Sequence, residues 1–338
     1  MIPIFDTLNR PLHEIRISVI DRCNFRCPYC MPEENARHYS FLQEKEWLTF
    51  AEIERLVKLF VKAGVKKVRL TGGEPLLRPN LAQLIQQLAQ IKELEDLALT
   101  TNGTLLGQFA DTLKKSGLER LTVSLDTLDS RVFKYMSGRK GDVQKTLEGI
   151  KQAEKAGFHS IKINVVVQKG VNDHTILDLV EYFRESSHIL RFIEYMDVGN
   201  CNHWQNKYVV PSAEILKKIN ERYPLKSLEP THFGEVAKRY EFVDGQGEIG
   251  FISSITQPFC SSCTRGRLST DGKIFTCLFA DHGTDLKRPL RQGASDEELL
   301  ELIGGIWTQR EDRYSERRSQ IYSTHHIPHK VEMFQIGG

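Results

Sequence analysis

Six of the seven cysteines in the 338-residue sequence fall into two groups of three. Cys23, Cys27 and Cys30 lie in "CNFRCPYC" with the spacing C-x3-C-x2-C; Cys260, Cys263 and Cys277 are spaced C-x2-C-x13-C; Cys201 stands alone. Thiols so close together point to a metal. A structural zinc is normally closed by four Cys or His ligands, and a 4Fe–4S cube takes one thiolate per iron. Three thiolates leave one iron open, and an open metal position is where a substrate or cofactor binds. Zinc stays open as an alternative for each triad; for the second, a His from the pair at 325–326 could supply the fourth ligand.

A second kind of residue recurs on the predicted strands. Side chains alternate faces along a strand. In "IRISVI" (15–20), Arg16 and Ser18 oppose the Ile and Val positions; in "KKVRLT" (66–71), Lys67 and Arg69 do so; in "IKINVVV" (161–167), Lys162 and Asn164; in "LRFIEYM" (190–196), Arg191. One such cation is usually solvated or paired. Four strands that each carry one, in a sheet whose apolar faces helices should cover, suggest a cavity for a polyanion. "TRGR" places Arg265 and Arg267 just after the second triad.

The elements that position these residues read as β–α repeats. The strands at 15–20, 66–71, 94–101, 120–126, 161–167 and 190–196 alternate with amphipathic segments such as "TFAEIERLVKLFVKAG", where Ile53, Leu56, Val57, Phe60 and Val61 share a helical face. Six units predict an open, partial (β/α)6 barrel of α/β class, with a doubly wound sheet as competitor. Past about residue 200 the alternation gives way to two hairpins, turned at "DGQG" and "TDGK". Residues 1–200 are therefore expected to form the barrel, and 201–338 an α+β subdomain with the second triad. Lys+Arg 46 against Asp+Glu 44 leaves a net charge of +2, no footprint for nucleic acid or a membrane surface. The start has no basic region followed by an apolar run, and no stretch is long enough to span a bilayer, so a cytoplasmic protein is expected.

The first triad, with Tyr29 as its aromatic, resembles the signature of the radical S-adenosylmethionine (SAM) superfamily. "LTGGEP" (70–75) and "VSLD" (123–126), at the ends of predicted strands, resemble that superfamily's SAM-contacting segments. Both triads together with "TTNG", "EYMDVG", "CTRGRLSTDGK", "CLF" and the terminal Gly–Gly resemble the GTP 3′,8-cyclase family over nearly the whole chain. The resemblance implies two 4Fe–4S clusters, the first on Cys23, Cys27 and Cys30 and the second on Cys260, Cys263 and Cys277. It places Tyr29, Gly73, Ser124 and Met196 at SAM, and Arg16, Arg69, Thr100, Lys162, Arg265, Gly266 and Arg267 at GTP, with Lys67 and Arg191 beside them. Gly266 stands where the family often has Thr, so only its backbone could touch substrate. Gly337 and Gly338 match a catalytic tail, and Cys201 matches no ligand position. The implied reaction is conversion of GTP to 3′,8-cyclo-7,8-dihydro-GTP, the opening step of molybdenum cofactor biosynthesis. The implied partners are an external electron donor, a second copy of the chain, and cyclic pyranopterin monophosphate synthase downstream. Two rivals remain from the residues alone: a radical SAM enzyme acting on a peptide, and a zinc-stabilised nucleotide-binding module.

Overall fold

The computed structural model describes residues 3–323 and 329–338, so the His pair at 325–326 lies outside the described residues. Six β–α units come first: β1 (Glu14–Ser18), α1 (Phe50–Lys62), β2 (Lys67–Thr71), α2 (Leu81–Ala89), β3 (Asp96–Thr101), α3 (Leu106–Lys115), β4 (Arg120–Ser124), α4 (Ser130–Met136), α5 (Val143–Lys155), β5 (Lys162–Val167), α6 (Ile176–Phe183) and β6 (Ile189–Glu194). Next come α7 (Ser212–Arg222), β7 (Leu225–Ser227), β8 (Lys238–Phe242), β9 (Glu248–Ile252), β10 (Arg265–Leu268), β11 (Lys273–Phe275) and β12 (Thr284–Asp285). The chain ends with α8 (Lys287–Arg291), α9 (Asp296–Thr308), α10 (Tyr314–Ser323) and α11 (Met333–Ile336).

Local chemistry accounts for the helix ends. The Thr49 hydroxyl accepts from the Glu52 amide at 3.2 Å while the Glu52 carboxylate accepts from the Thr49 amide at 2.7 Å, a reciprocal cap that starts α1. Ser295 and Glu298 start α9 in the same way. The α1 face predicted from spacing is the buried one, with Ile53, Leu56, Val57 and Phe60 each at most 1% exposed.

All twelve strands form one sheet in the order β12-β11-β10-β1-β2-β3-β4-β5-β6-β9-β8-β7. From β1 to β6 the order follows the chain without reversal, which excludes the doubly wound competitor and its switch point. The hairpins form where expected, but they do not make a separate layer. β10 pairs parallel with β1 (Ile15 opposite Gly266), and β9 pairs parallel with β6 (Phe192 opposite Phe251). Eight parallel strands result, flanked by antiparallel β11–β12 and β8–β7. No pair among the described strands closes the ring, so the barrel is open. Local patterning could not show these edge pairings, which join segments about 60 (β6 to β9) and about 250 (β1 to β10) residues apart. Ile15, Ile17, Val68 and Leu70 are buried outward under the helices, leaving Arg16 and Arg69, both half-buried, on the inner face.

Candidate active site

The cysteine loop leaves the carboxyl end of β1 and is held by the ends of its neighbours. The Gly73 amide donates to the Ile20 carbonyl at 2.7 Å and the Glu74 amide to Arg22 at 2.9 Å. A Cβ on Gly73 would lie 3.0 Å from the Cys23 nitrogen and closer still to the Arg22 carbonyl, so only glycine fits there. In the segment after β3, the Asn102 amide side chain donates to Asn24 at 2.8 Å. After β4, Asp126 accepts from the Tyr29 hydroxyl at 2.7 Å and from the Val166 amide at 2.8 Å. Burial pushes the Asp126 carboxyl up to about 6 and that of Glu74 up to about 7.

The second triad lies at the other end of the same strands. Cys260 and Cys263 precede β10, which runs parallel to β1, and Cys277 follows β11, which returns antiparallel. A five-residue strand rising about 3.3 Å per residue therefore separates the two triads by roughly 16 Å along the barrel. Arg265 and Arg310 donate to the Cys263 sulfur at 3.4 and 3.3 Å. Burial opposes ionisation of that thiol, yet the two guanidiniums outweigh it and draw Cys263 down to about 6. In the first triad burial wins: it outweighs the Phe25 amide and Arg26 to push Cys23 up to about 12, and it holds Cys27 and Cys30 well above the usual thiol range.

Against the second triad is a cavity of about 490 Å³, lined by Cys260, Cys263 and Cys277. Ten Lys or Arg line it against four Asp or Glu, although the whole chain carries only +2. Strand register stacks the cations in levels: Arg16, Arg69 and Arg267 face one another across β1, β2 and β10, and Lys67 and Arg265 flank Glu14 one level below. Thr100, Lys162, Arg191, Met196 and Gly338 also line it. Burial and the neighbouring arginines hold Lys162 down to about 7, Arg191 to about 9 and Arg16 to about 10. The Nε atoms of Arg69 and Arg191 are buried and make no hydrogen bond among the described residues, that of Arg69 lying 3.6 Å from the Glu14 carboxylate. Orphaned buried donors facing a cavity call for an acceptor-rich ligand.

Some expected residues sit elsewhere. Gly266 does not line the cavity: a Cβ there would meet Ile15 at 3.0 Å and Leu12 at 3.2 Å on the helix-covered face. With Arg265 and Arg267 pointing inward, strand alternation forces Gly266 outward. Cys23, Cys27, Cys30, Tyr29, Gly73 and Ser124 belong to the carboxyl end of the barrel and do not line this cavity. The tail docks against the barrel. Phe334 and Ile336 are buried, Phe334 packs on Tyr39 with centroids 5.4 Å apart, and the Gly337 carbonyl accepts from Arg267. Arg267 thus serves the tail as well as the cavity.

Sequence reasoning missed Glu14, which is ion-paired to Arg16 at 3.1 Å and to Arg69 at 3.6 Å. Burial disfavours its charge, but Arg16, Arg69 and Arg265 keep it well below the usual carboxylate range. Its alternation with Arg16 and Ser18 was the available signal. Also missed were Asp6, Arg10 and Arg310, a buried network against the second triad; no local pattern announces a network built from opposite ends of a chain.

A family model described as the Radical SAM superfamily matches residues 17–183, and one described as Molybdenum Cofactor Synthesis C matches residues 188–316. The GTP 3′,8-cyclase of Xanthomonas campestris pv. campestris (strain B100) is 50% identical over 336 residues, covering 99% of this chain and 98% of its own. The chain belongs to the GTP 3′,8-cyclase family. The family's members from Acidothermus cellulolyticus and Staphylococcus haemolyticus are 48% and 46% identical, each covering 99% of both chains. Among solved structures, Streptococcus suis SuiB bound to S-adenosylmethionine superimposes with a TM-score of 0.62 at 18% identity, covering 90% of this chain and 70% of its own, and supports the fold alone.

The donor sets fit the clusters expected of the GTP 3′,8-cyclase family. All seven cysteines are free thiols. Among the described residues no three His, Cys, Asp or Glu side chains converge on a point that would hold a single ion. Three free thiols in each triad supply ligands for three irons of a cube and leave the fourth open.

Proposed function

We propose that this cavity binds GTP between the two clusters and that the chain catalyses its 3′,8-cyclisation, the opening step of molybdenum cofactor biosynthesis. One observation carries the reading: a cation-lined cavity opens on the second thiol triad at one end of a parallel sheet whose other end holds the first. Bound at the first triad, a 4Fe–4S cluster with SAM supplies the radical chemistry that removes the 3′ hydrogen of GTP. The protein's own residues bind, orient and exclude water.

In this reading Arg16, Arg69, Lys162, Arg191 and Lys67 hold the triphosphate, with Thr100 nearby, and the guanine lies toward Cys260, Cys263 and Cys277. Tyr29, pinned by Asp126, Gly73, Ser124 and Met196 shape the SAM site. Gly337 and Gly338 enter from the tail to position the reacting ends. Cyclisation isomerises GTP: its 3′ hydrogen leaves with the adenosyl group, and one electron and one proton return to the base. An external electron donor, a homodimer, a cytoplasmic location and hand-over to cyclic pyranopterin monophosphate synthase complete the proposal. A peptide substrate would leave the cavity's excess of positive charge unexplained.

The test is anaerobic incubation of the reconstituted protein with GTP, SAM and dithionite. Two 4Fe–4S clusters correspond to about eight irons per chain, and 5′-deoxyadenosine should appear one-for-one with cyclised nucleotide. A colourless, zinc-loaded protein that binds GTP without turnover would reject the proposal.

A further inference from the structure

Arg310 follows α9 and is 4% exposed, yet no step assigned above uses it. Its guanidinium is committed on every side. Nη2 donates to the Cys263 sulfur at 3.3 Å, and Nη1 donates to the Cys263 carbonyl at 2.7 Å and to Asp6 at 3.3 Å. Nε faces the Asp312 carboxylate at 3.4 Å, and the plane lies over the Trp307 ring with the central carbon 4.5 Å from its centroid. The Thr7 hydroxyl fixes the backbone by donating to the Arg310 carbonyl at 2.7 Å.

Asp6 is shared. Its carboxylate also accepts from Arg10, which is 0% exposed and whose Nη1 donates to the Cys260 carbonyl at 2.7 Å. Two buried arginines on one carboxylate therefore clamp the carbonyls of two cysteines in the second triad. Arg310 and Arg265 are the side chains that also reach a sulfur of that triad among the hydrogen bonds described, while the Phe279 amide donates to the Cys277 sulfur at 3.5 Å.

A brace needs carbonyl contacts alone. A buried N–H aimed at a thiolate sulfur does something more, because hydrogen bonds and positive charge at cluster sulfurs favour the more negative, reduced state. We propose that Arg310 is a positioning residue that raises the reduction potential of the second cluster through its charge and its bond to the Cys263 sulfur. This rests on the second triad holding an iron–sulfur cluster. It bears on the reaction because the cyclised base needs one electron back, and a cluster poised too low would not hold that electron ready.

The test is a one-electron titration with dithionite, in which an electron passes to the cluster and no bond to the protein is made or broken. Full-length protein carrying Cys23→Ala, Cys27→Ala and Cys30→Ala isolates the second cluster, and its midpoint is read by electron paramagnetic resonance. Adding Arg310→Gln should lower the midpoint by at least a tenfold change in the reduced-to-oxidised ratio at fixed solution potential, about 59 mV for one electron. Arg310→Lys, which keeps the charge and loses the fork, should shift it less. Asp6→Asn, which removes a negative charge and leaves Arg310 in place, should shift it the opposite way.

An unmoved midpoint in Arg310→Gln with iron retained would overturn the assignment alone. So would loss of the cluster from Arg310→Lys, which would make the residue a brace. Absence of iron from the triple-Cys parent would instead overturn the reading beneath it.

Discussion

Gly337 offers the sharpest test of whether the tail takes part in the reaction. Its φ is +73°, in the left-handed region, and a Cβ there would lie 2.9 Å from the Thr71 Cβ and closer still to the Thr71 hydroxyl. Placing Ala in that conformation costs about 1–2 kcal/mol before any clash is counted. Thr71 cannot retreat, since it ends β2 and its hydroxyl donates to the Ile17 carbonyl at 3.3 Å. The anchors further back are untouched: burial of Phe334 and Ile336 contributes about 1.5–3 kcal/mol each. Gly337→Ala should therefore lift only the last two residues, lowering their docked population roughly 5–30-fold while leaving the global fold intact. Cyclised product, measured by chromatography against 5′-deoxyadenosine, should fall by at least that factor, with melting temperature, iron content and GTP affinity unchanged. Gly338→Ala is the internal control. Its Cβ would meet only the flexible Met333 thioether, 2.9 Å from the sulfur, so its loss should be smaller. Full cyclisation by Gly337→Ala would refute a catalytic role for the tail.

Three further outcomes follow from the cavity and the triads. Arg16→Ala, Arg69→Ala or Lys162→Ala each removes a charge-assisted contact of about 1.5–3 kcal/mol and should weaken GTP roughly 10–150-fold by calorimetry; equal affinity for GTP and guanosine in the unmodified protein would rule out a polyanion pocket. Lys162 is held down to about 7 by burial and by Arg191, Arg120 and Arg69, so its charge is lost as pH rises through that value. A bound triphosphate raises it again, so binding takes up a proton and GTP affinity should fall between about pH 6 and pH 8. Lys162→Arg, charged throughout, should flatten that profile. Cys27→Ala should abolish SAM cleavage, whereas Cys263→Ala should leave uncoupled cleavage to 5′-deoxyadenosine without cyclised product.

What could be read in advance was local. The triads, the β–α alternation and the inward cations depend on spacing within a few residues, and the structure brings them to one barrel. Gly266 shows where a resemblance displaced physics: the alternation that made Arg265 and Arg267 inward already put it on the outer face. Glu14 belongs to no motif of its own, yet a carboxylate at that level is what allows Arg16, Arg69 and Arg265 to be buried together. The joining of β9 and β10 to the barrel edges, and the Asp6–Arg10–Arg310 network, rest on contacts about 60 to 300 residues apart in sequence. No window on the sequence contains them.

Those long-range contacts also explain how one chain keeps two distant centres and a terminus in register. Parallel pairing of β10 with β1 fixes which end of the barrel each triad occupies. At the carboxyl end of β6, Glu194 is 0% exposed and accepts from the Ser212, Ile255 and Thr256 amides at 2.8 Å each, locking the strand that leads to Met196. Three residues on, Asp197 gathers Tyr314, Tyr322, Arg318 and Lys330, the last at 3.0 Å and 2% exposed. Burying such an ion cluster is costly, and an apolar core of the same volume would often be no less stable. What charge adds is direction: a Lys ammonium satisfied at one carboxylate and one carbonyl, here Asp197 and its own carbonyl at 2.6 Å, can sit in one place only. From that fixed point eight residues reach Gly338, so the end of the chain is delivered to the cavity by the segment after β6 that also carries Met196.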